Sequence, residues 1–128
     1  MRGVRLILAV FLMIAFSGCA SQKNIKVSVS GDTSIDLEKK GIVDIELEAN
    51  PSTGYSWAVS PLADETVLKQ IGGGRYTQKS SLAGGGGYQI FRFRGTEQGK
   101  EEITFKYRRP WERNQPPAKE YDVEINVW

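Results

Sequence analysis

An alternation of apolar and polar residues along most of the chain constrains its fold more than any other feature. Apolar side chains recur at every second position in segments 25–29, 43–49, 91–94, 103–107 and 121–127. Because successive side chains of a β-strand point to opposite faces, this period predicts strands with one buried and one solvated face. No segment has a convincing helical period, so the chain is predicted to be all-β.

Glycine and proline residues separate these segments. Shorter candidate strands at 55–59 and 75–79 bring the total to about seven or eight, which in a domain of this length predicts an immunoglobulin-like antiparallel β-sandwich. The chain has one Cys, so the immunoglobulin disulfide is absent. Trp57, on the third predicted strand, is expected to fill the space between the sheets. The predicted turns lie at 31–32, 41, 50–51, 72–74, 84–87, 99 and 116–117.

The N-terminal segment has the pattern of an export signal. Arg2 and Arg5 precede an uncharged run at 6–16, which is too short to span a bilayer as a helix. Ser17-Gly18-Cys19 follows and resembles the lipobox of bacterial lipoproteins, in which the Cys is acylated. We therefore expect a signal peptide at 1–18, a lipidated tether at 19–24 and a folded domain at 25–128. A plain signal peptide that leaves a free thiol is the alternative.

Several kinds of partner and site are disfavoured by composition. Two of the 17 Lys and Arg residues lie in the signal segment, which leaves 15 against 15 Asp and Glu residues. This balance does not favour a nucleic-acid partner. With no His and a single Cys, the chain lacks Ser-His-Asp and Cys-His catalytic sets and His-bearing zinc sites. We expect no enzyme activity, no metal and no cofactor. Export with a lipid anchor predicts a membrane-attached protein, on the outer membrane if the host has one, because Ala20 and Ser21 differ from the Asp of an inner-membrane retention signal.

The connection between the second and third predicted strands has unusual turn chemistry. Pro51 fixes its own φ and restricts Asn50, while Gly54 permits backbone geometry that other residues avoid. The sequence therefore predicts a stiff turn that displays Ser52 and Thr53 at its tip.

Two further connections stand out. The segment 80–87 ends in four glycines, which would let a partner approach the backbone, although a mere linker is the alternative. Arg109-Pro110-Trp111 places a Trp beside a Pro-stiffened turn with Arg neighbours, the composition of an interface hot spot. Trp111 could instead fold back over the end of the sheet.

Together these three connections resemble the loop motifs of the chagasin family of cysteine protease inhibitors, in the same order. Residues 50–55 are similar to the family's Asn-Pro-Thr-Thr-Gly-Tyr/Phe, with Trp57 following as it does there and Ser52 in place of a Thr. Residues 84–87 are similar to its Gly-x-Gly-Gly loop, and residues 109–111 to its Arg-Pro-Trp/Phe. The resemblance covers residues 24–128.

The resemblance implies a reversible inhibitor whose partner is a papain-like cysteine peptidase. The first loop would cover the catalytic Cys of the peptidase, and the other two would clasp the sides of the cleft; we expect a monomer. A structural or ligand-binding envelope lipoprotein with an immunoglobulin-like domain and no inhibitory role is the alternative, and clustering of the three loops at one end would favour inhibition. The implied contact residues are Asn50, Pro51, Ser52, Thr53, Gly54, Tyr55, Gly84, Gly85, Gly86, Gly87, Arg109, Pro110 and Trp111.

Overall fold

The all-β prediction is confirmed by a computed structural model of the chain, which describes residues 23–78 and 86–128. This described part contains eight strands and one short 3-10 turn. The strands are β1 Asn24–Val29, β2 Thr33–Leu37, β3 Ile42–Ala49, β4 Ser56–Val59, β5 Leu68–Gln78, β6 Gly87–Gly95, β7 Gly99–Arg108 and β8 Lys119–Val127, and the turn is Pro51–Thr53.

The strands form two four-stranded sheets that pack into a sandwich. One sheet has the order β1-β3-β6-β5 and the other β2-β8-β7-β4. Four of the six pairings within the described part are antiparallel, whereas β1 pairs with β3 and β2 with β8 in parallel. β1 and β2 follow each other through a short connection but belong to different sheets. The chain therefore returns to the first sheet as β3, in the same direction as β1. Within residues 23–78 and 86–128 there is no helix long and apolar enough to cross a membrane.

The core consists of the apolar members of the alternating segments, which face one another between the two sheets. Their burial removes apolar surface from water and is the main favourable term in folding. The aromatic rings of Phe91 and Phe105 meet across the core with centroids 5.3 Å apart. The fully buried side chains include Leu37, Val43, Ile45, Leu47, Leu68, Phe93, Ile103, Phe105, Val123, Ile125 and Val127.

One strand, β2, was not among the predicted segments. It has five residues and only two buried apolar side chains, Ile35 and Leu37. That is too few for an alternating pattern to stand out from chance. Its pairing with β8, which places Ile35 beside Ile125, fixes it in the sheet.

The prediction that residues 72–74 form a turn between strands is wrong. All three glycines lie inside β5, which pairs with β6 along its length through two register shifts, before and after Gly72. Gly74 has a φ of 75°, and a Cβ on Gly73 would lie 2.9 Å from the ring of Phe91. The glycines therefore permit β-bulges and close packing within a continuous strand, a known use of glycine in strands.

The topology brings the strand ends that carry the three unusual connections to one end of the sandwich. Loop 1 (50–55) joins β3 to β4 and crosses from one sheet to the other, loop 2 (79–86) joins β5 to β6, and loop 3 (109–118) joins β7 to β8. The register pairs Ala49 with Gly87 and Ser56 with Arg108, so the strand ends that carry these loops are neighbours. We call this the loop end of the domain.

Candidate functional site

Loop 1 is closed on itself by hydrogen bonds around Asn50. The side-chain oxygen of Asn50 accepts from the backbone N–H and the hydroxyl of Ser52, at 3.2 and 2.6 Å. The backbone carbonyl of Asn50 accepts from the N–H and the hydroxyl of Thr53, at 3.2 and 2.7 Å. Gly54 ends the turn with a φ of 79°, in the left-handed region that glycine adopts most easily. Ser52 and Thr53 are exposed at the tip, while their hydroxyls bond back toward Asn50.

Trp57 anchors the base of loop 1 in the core, as the sequence predicts. Its side chain is 4% exposed, and the indole Nε1 donates to the carbonyl of Glu48 on β3 at 2.9 Å. The ring lies between Tyr107 and Tyr121, with centroid separations of 4.8 and 4.9 Å. The hydroxyl of Tyr107 in turn accepts from the backbone N–H of Asn50 at 3.4 Å. The first stem of loop 1 is thus hydrogen-bonded to the side chains of Trp57 and Tyr107, and the second stem carries Trp57 itself.

Arg109 connects loop 3 to loop 1. Its Nε donates to the carbonyl of Thr53 at 3.2 Å, and its guanidinium carbon lies 4.5 Å from the ring centroid of Tyr55. A hydrogen bond from Nη1 to the carboxylate of Glu112, at 3.1 Å, raises the pKa of Arg109 above its already high ordinary value. The ring of Tyr55 stacks on Tyr107 at 5.2 Å. The permanently charged guanidinium therefore braces the two loops against each other.

Trp111 lies over Gly54 and remains largely open to solvent. Its side chain is 68% exposed. A Cβ on Gly54 would lie 2.5 Å from Cη2 of the indole, so the ring packs directly against the glycine backbone. Trp111 therefore does not cover the end of the sheet; it rests on loop 1 and presents most of its surface outward. Pro110 beside it is exposed.

The described part of loop 2 ends next to the first stem of loop 1. Gly84 and Gly85 lie outside the described residues. Gly86 is half-buried, and Gly87 begins β6, where it is buried and pairs with Ala49 on one side and Gln78 on the other. Gly86 and Gly87 thus lie beside the strand that leads into loop 1.

Most of the sequence also matches a known family. Residues 36–125 match the family model described as chagasin family peptidase inhibitor I42. The chain belongs to the chagasin family. The resemblance seen in its loop motifs is confirmed by this match, which spans most of the domain and includes all three loops.

Relatives of this chagasin-family chain share both its sequence and its fold. Amoebiasin-1 of Entamoeba histolytica is 29% identical over 98 residues, which cover 77% of this chain and 93% of the relative. The crystal structure of the cysteine protease inhibitor EhICP2 from Entamoeba histolytica is similar with a TM-score of 0.69 at 19% identity, covering 83% of this chain and 97% of that one. The structure of PbICP-C in complex with falcipain-2 is similar with a TM-score of 0.59 at 22% identity, covering 83% of this chain and 99% of that one. These two structures support the predicted immunoglobulin-like sandwich.

Several side chains that shape this chagasin-family site lie outside its three motifs. Two hollows flank loop 1, one of about 90 Å³ between Tyr55 and Tyr76 and one of about 250 Å³ between Asn50 and Lys119. Gln89 on β6 accepts from the backbone N–H of Trp57 at 2.6 Å. Sequence reasoning missed these supporting residues, because their proximity depends on strand register. The described part of the chain brings no group of three or more Cys, Asp or Glu residues together that could hold a metal ion.

The packing around Gly87 indicates that this glycine of the motif has a structural role, whereas the packing around Gly86 does not require a glycine. A Cβ on Gly87 would collide with the carbonyl oxygen of Thr77 and lie 2.7 Å from the ring of Tyr76, whereas a Cβ on Gly86 would be an ordinary 3.6 Å from the Ala49 carbonyl. Gly87→Ala should cost about 1–3 kcal/mol of folding free energy through overpacking. Gly86→Ala is the matched control and should unfold near the wild-type temperature. Equal melting temperatures for the two variants, measured by calorimetry, would contradict this assignment.

Proposed function

We propose that this chain is a reversible inhibitor of papain-like cysteine peptidases and that its loop end fills the active-site cleft of the peptidase. Membership of a peptidase-inhibitor family supports inhibition, and the description of EhICP2 as a cysteine protease inhibitor supports this peptidase class. The complex of PbICP-C with falcipain-2 supports a direct inhibitor–peptidase contact. The observation that carries the proposal is the bracing of loop 1 by Arg109 and Trp111, because it gives the loop end a fixed shape.

In this proposal loop 1 enters the cleft, and loops 2 and 3 contact its two sides. Ser52 and Thr53 at the exposed tip would lie nearest the catalytic Cys of the peptidase. The outer face of Trp111 would pack against one wall, and the glycines of loop 2 would allow backbone contact with the other. The sequence contains no His, so the chain has no nucleophile paired with an imidazole base, and binding without a covalent bond is the expected chemistry.

The closed turn in loop 1 lowers the entropic cost of binding. Ordering a flexible side chain at an interface costs about 0.5–1.5 kcal/mol, and a loop that already has its bound shape avoids much of that cost. The hydrogen bonds of Ser52 and Thr53 to Asn50, together with the contact of Trp111 on Gly54, hold this shape in the free protein. Three loops on one end of a sandwich are also large enough to bury a standard interface of about 800 Å² on each partner.

The same turn accounts for resistance to cleavage. A peptidase must hold its substrate in a near-attack geometry, with the reacting carbonyl aligned to the nucleophile. In loop 1 the carbonyls of Asn50 and Pro51 accept hydrogen bonds from Thr53 and Gly54, which keeps the backbone folded. Opening these bonds would be necessary before the segment could lie extended like a substrate.

We also propose that the protein is exported and held at a membrane by acylation of Cys19, which lies outside the described residues. The support is the sequence alone: a basic start, an uncharged run at 6–16, and small residues before the single Cys. Each buried methylene of an acyl chain contributes about 0.8 kcal/mol, so two or more chains on one Cys give stable attachment.

The first prediction of this proposal is fast, reversible inhibition of papain by residues 23–128. Because no covalent step is involved, dilution of the complex should restore full peptidase activity, and trypsin and thermolysin should be unaffected. Residual activity is followed with a fluorogenic peptide. Absence of inhibition at micromolar domain, or a slow loss that dilution does not reverse, would contradict the proposal.

The second prediction divides the binding energy between the loops. Truncating a well-packed interface Trp typically costs 2 kcal/mol or more, so Trp111→Ala should raise the inhibition constant by roughly thirtyfold. Its melting temperature should change little, since the ring is mostly exposed. Trp128→Ala is the control, because Trp128 is 60% exposed but lies away from the loop end.

At the tip of loop 1, Thr53→Ala should cost less than about 1.5 kcal/mol of binding, whereas Thr53→Trp should obstruct entry into the cleft. If Trp111→Ala unfolds at a much lower temperature and inhibits as well as the wild type, Trp111 is a structural residue and its proposed contact is wrong.

The third prediction concerns the anchor. Replacing Cys19 by Ser removes the thiol that would carry the acyl chains, so incorporation of a radiolabelled fatty acid should be lost. The variant should also move to the soluble fraction or remain unprocessed. Unchanged labelling of Cys19→Ser would show that the lipid, if any, is attached elsewhere.

A further inference from the structure

The direction of β1 places its first residue, Asn24, at the end of the sandwich opposite the strand ends that carry the three loops. β1 runs parallel to β3, with Asn24 beside Ile42, and β3 then runs to loop 1. Eight residues of strand at about 3.3 Å each separate Ile42 from the start of loop 1 by about 25 Å. Lys23, whose carbonyl accepts from the N–H of Ile42 at 3.0 Å, therefore lies at the opposite end. We call it the tether end.

Trp128 is the exposed aromatic residue at the tether end. Its backbone N–H donates to the carbonyl of Leu37 at 3.0 Å, and its carbonyl accepts from the N–H of Lys39 at 2.8 Å. The indole is 60% exposed and borders a small hollow that it shares with Lys23 and Ile25. A large aromatic side chain is thus fixed to the sheet by main-chain bonds, beside the point where the tether enters the domain.

Charged side chains of both signs lie at the tether end, whereas basic residues predominate in residues 106–120 of the loop end. Lys23 borders the same hollow as Asp36 and Glu38, and Lys39 pairs with Glu97 at 3.4 Å. Residues 106–120, by contrast, carry five Lys or Arg residues and two Glu residues. An anionic lipid surface would therefore attract the loop end electrostatically. Contact at the tether end would depend mainly on the burial of apolar side-chain surface.

The length of the tether decides whether the tether end or the loop end faces the membrane. Four Cα steps join Cys19 to Lys23, and a fully extended chain spans at most about 3.6 Å for each, or about 14 Å in all. An acylated Cys19 would therefore keep Lys23 within that distance of the lipid surface. Turning the loop end to the membrane would require Lys23 to stand about 25 Å away, which this tether is too short to allow.

We propose that the tether end rests on the lipid surface with Trp128 in the headgroup region, so that the loop end points away from the membrane. Trp is enriched at membrane interfaces because its ring is apolar and its N–H is polar. The inference rests on the proposed acylation of Cys19 and does not depend on inhibition. It gives the envelope protein a fixed orientation, in which loops 1 to 3 face a soluble peptidase.

The two exposed tryptophans at opposite ends provide the test. The full-length acylated protein, purified from membranes, is reconstituted into phosphatidylcholine vesicles with brominated acyl chains, which quench indole emission on contact. Trp111→Phe leaves Trp128 as the exposed reporter, and Trp128→Phe leaves Trp111; buried Trp57 is common to both. Quenching relative to unbrominated vesicles should be at least about twofold larger in Trp111→Phe, because only Trp128 reaches the headgroups.

Three outcomes would overturn the inference. Equal quenching of the two variants would show a domain lying on its side, and stronger quenching in Trp128→Phe would show the loop end at the lipid. Protein that does not stay with the vesicles would contradict the anchor and this orientation together. Adding phosphatidylglycerol should leave the quenching pattern unchanged. Inhibition of papain by vesicles that carry the wild-type protein separates the two proposals, since absent inhibition together with the expected quenching in the variants contradicts only the proposed function.

Discussion

The indole of Trp57 joins the two sheets at the point where the chain crosses between them. Its N–H bonds to the carbonyl of Glu48 on the sheet that the chain leaves, while its ring lies among the tyrosines of the sheet that the chain enters. A buried indole N–H left without a partner costs about 1–3 kcal/mol, so this bond favours the observed crossing. The position of loop 1 follows directly, since both of its stems begin at this contact.

The candidate site is built outward from that contact in two layers. Tyr107 packs against Trp57 and also contacts Asn50 and Tyr55. Arg109 and Trp111 then hold the outer part of the turn in place. Loops 1 and 3 therefore behave as one body, although they are separated by more than fifty residues of sequence. A loop that is supported from two sides keeps its shape without a disulfide or a metal.

Long alternating segments were the part of the fold that the sequence predicted well. β3, β7 and β8 each have at least three inward apolar residues, and the burial of Trp57 follows from its place among them. β2 escaped prediction because two apolar residues make no pattern, and only the end of β5 was predicted, because its glycines usually mark turns. A bulged strand and a turn need the same backbone freedom, and only pairing with β6 distinguishes them.

The candidate site was predictable as a set of motifs but not as an arrangement. Turn chemistry at Pro51 and Gly54 and the composition around Trp111 single out the loops. Whether the indole would rest on the sheet end or on loop 1 depends on where strand register places Gly54 and on its left-handed φ. The bond from Arg109 to the carbonyl of Thr53 is likewise set by the pairing of β4 with β7, which local sequence does not reveal.

The contact of Trp111 with Gly54 also limits how far the inhibitory motif can be transplanted. A short peptide or a foreign scaffold that copied residues 50–55 would carry the turn residues but neither the indole that covers the glycine nor the guanidinium that holds Thr53. Freed of these neighbours, the backbone would sample many shapes and would have to be ordered anew on each encounter. The smallest part that would keep the shape of loop 1 is therefore the whole loop end of the sandwich. Short peptides copied from this domain should bind poorly, whereas single side chains of the loops can be exchanged within the intact domain.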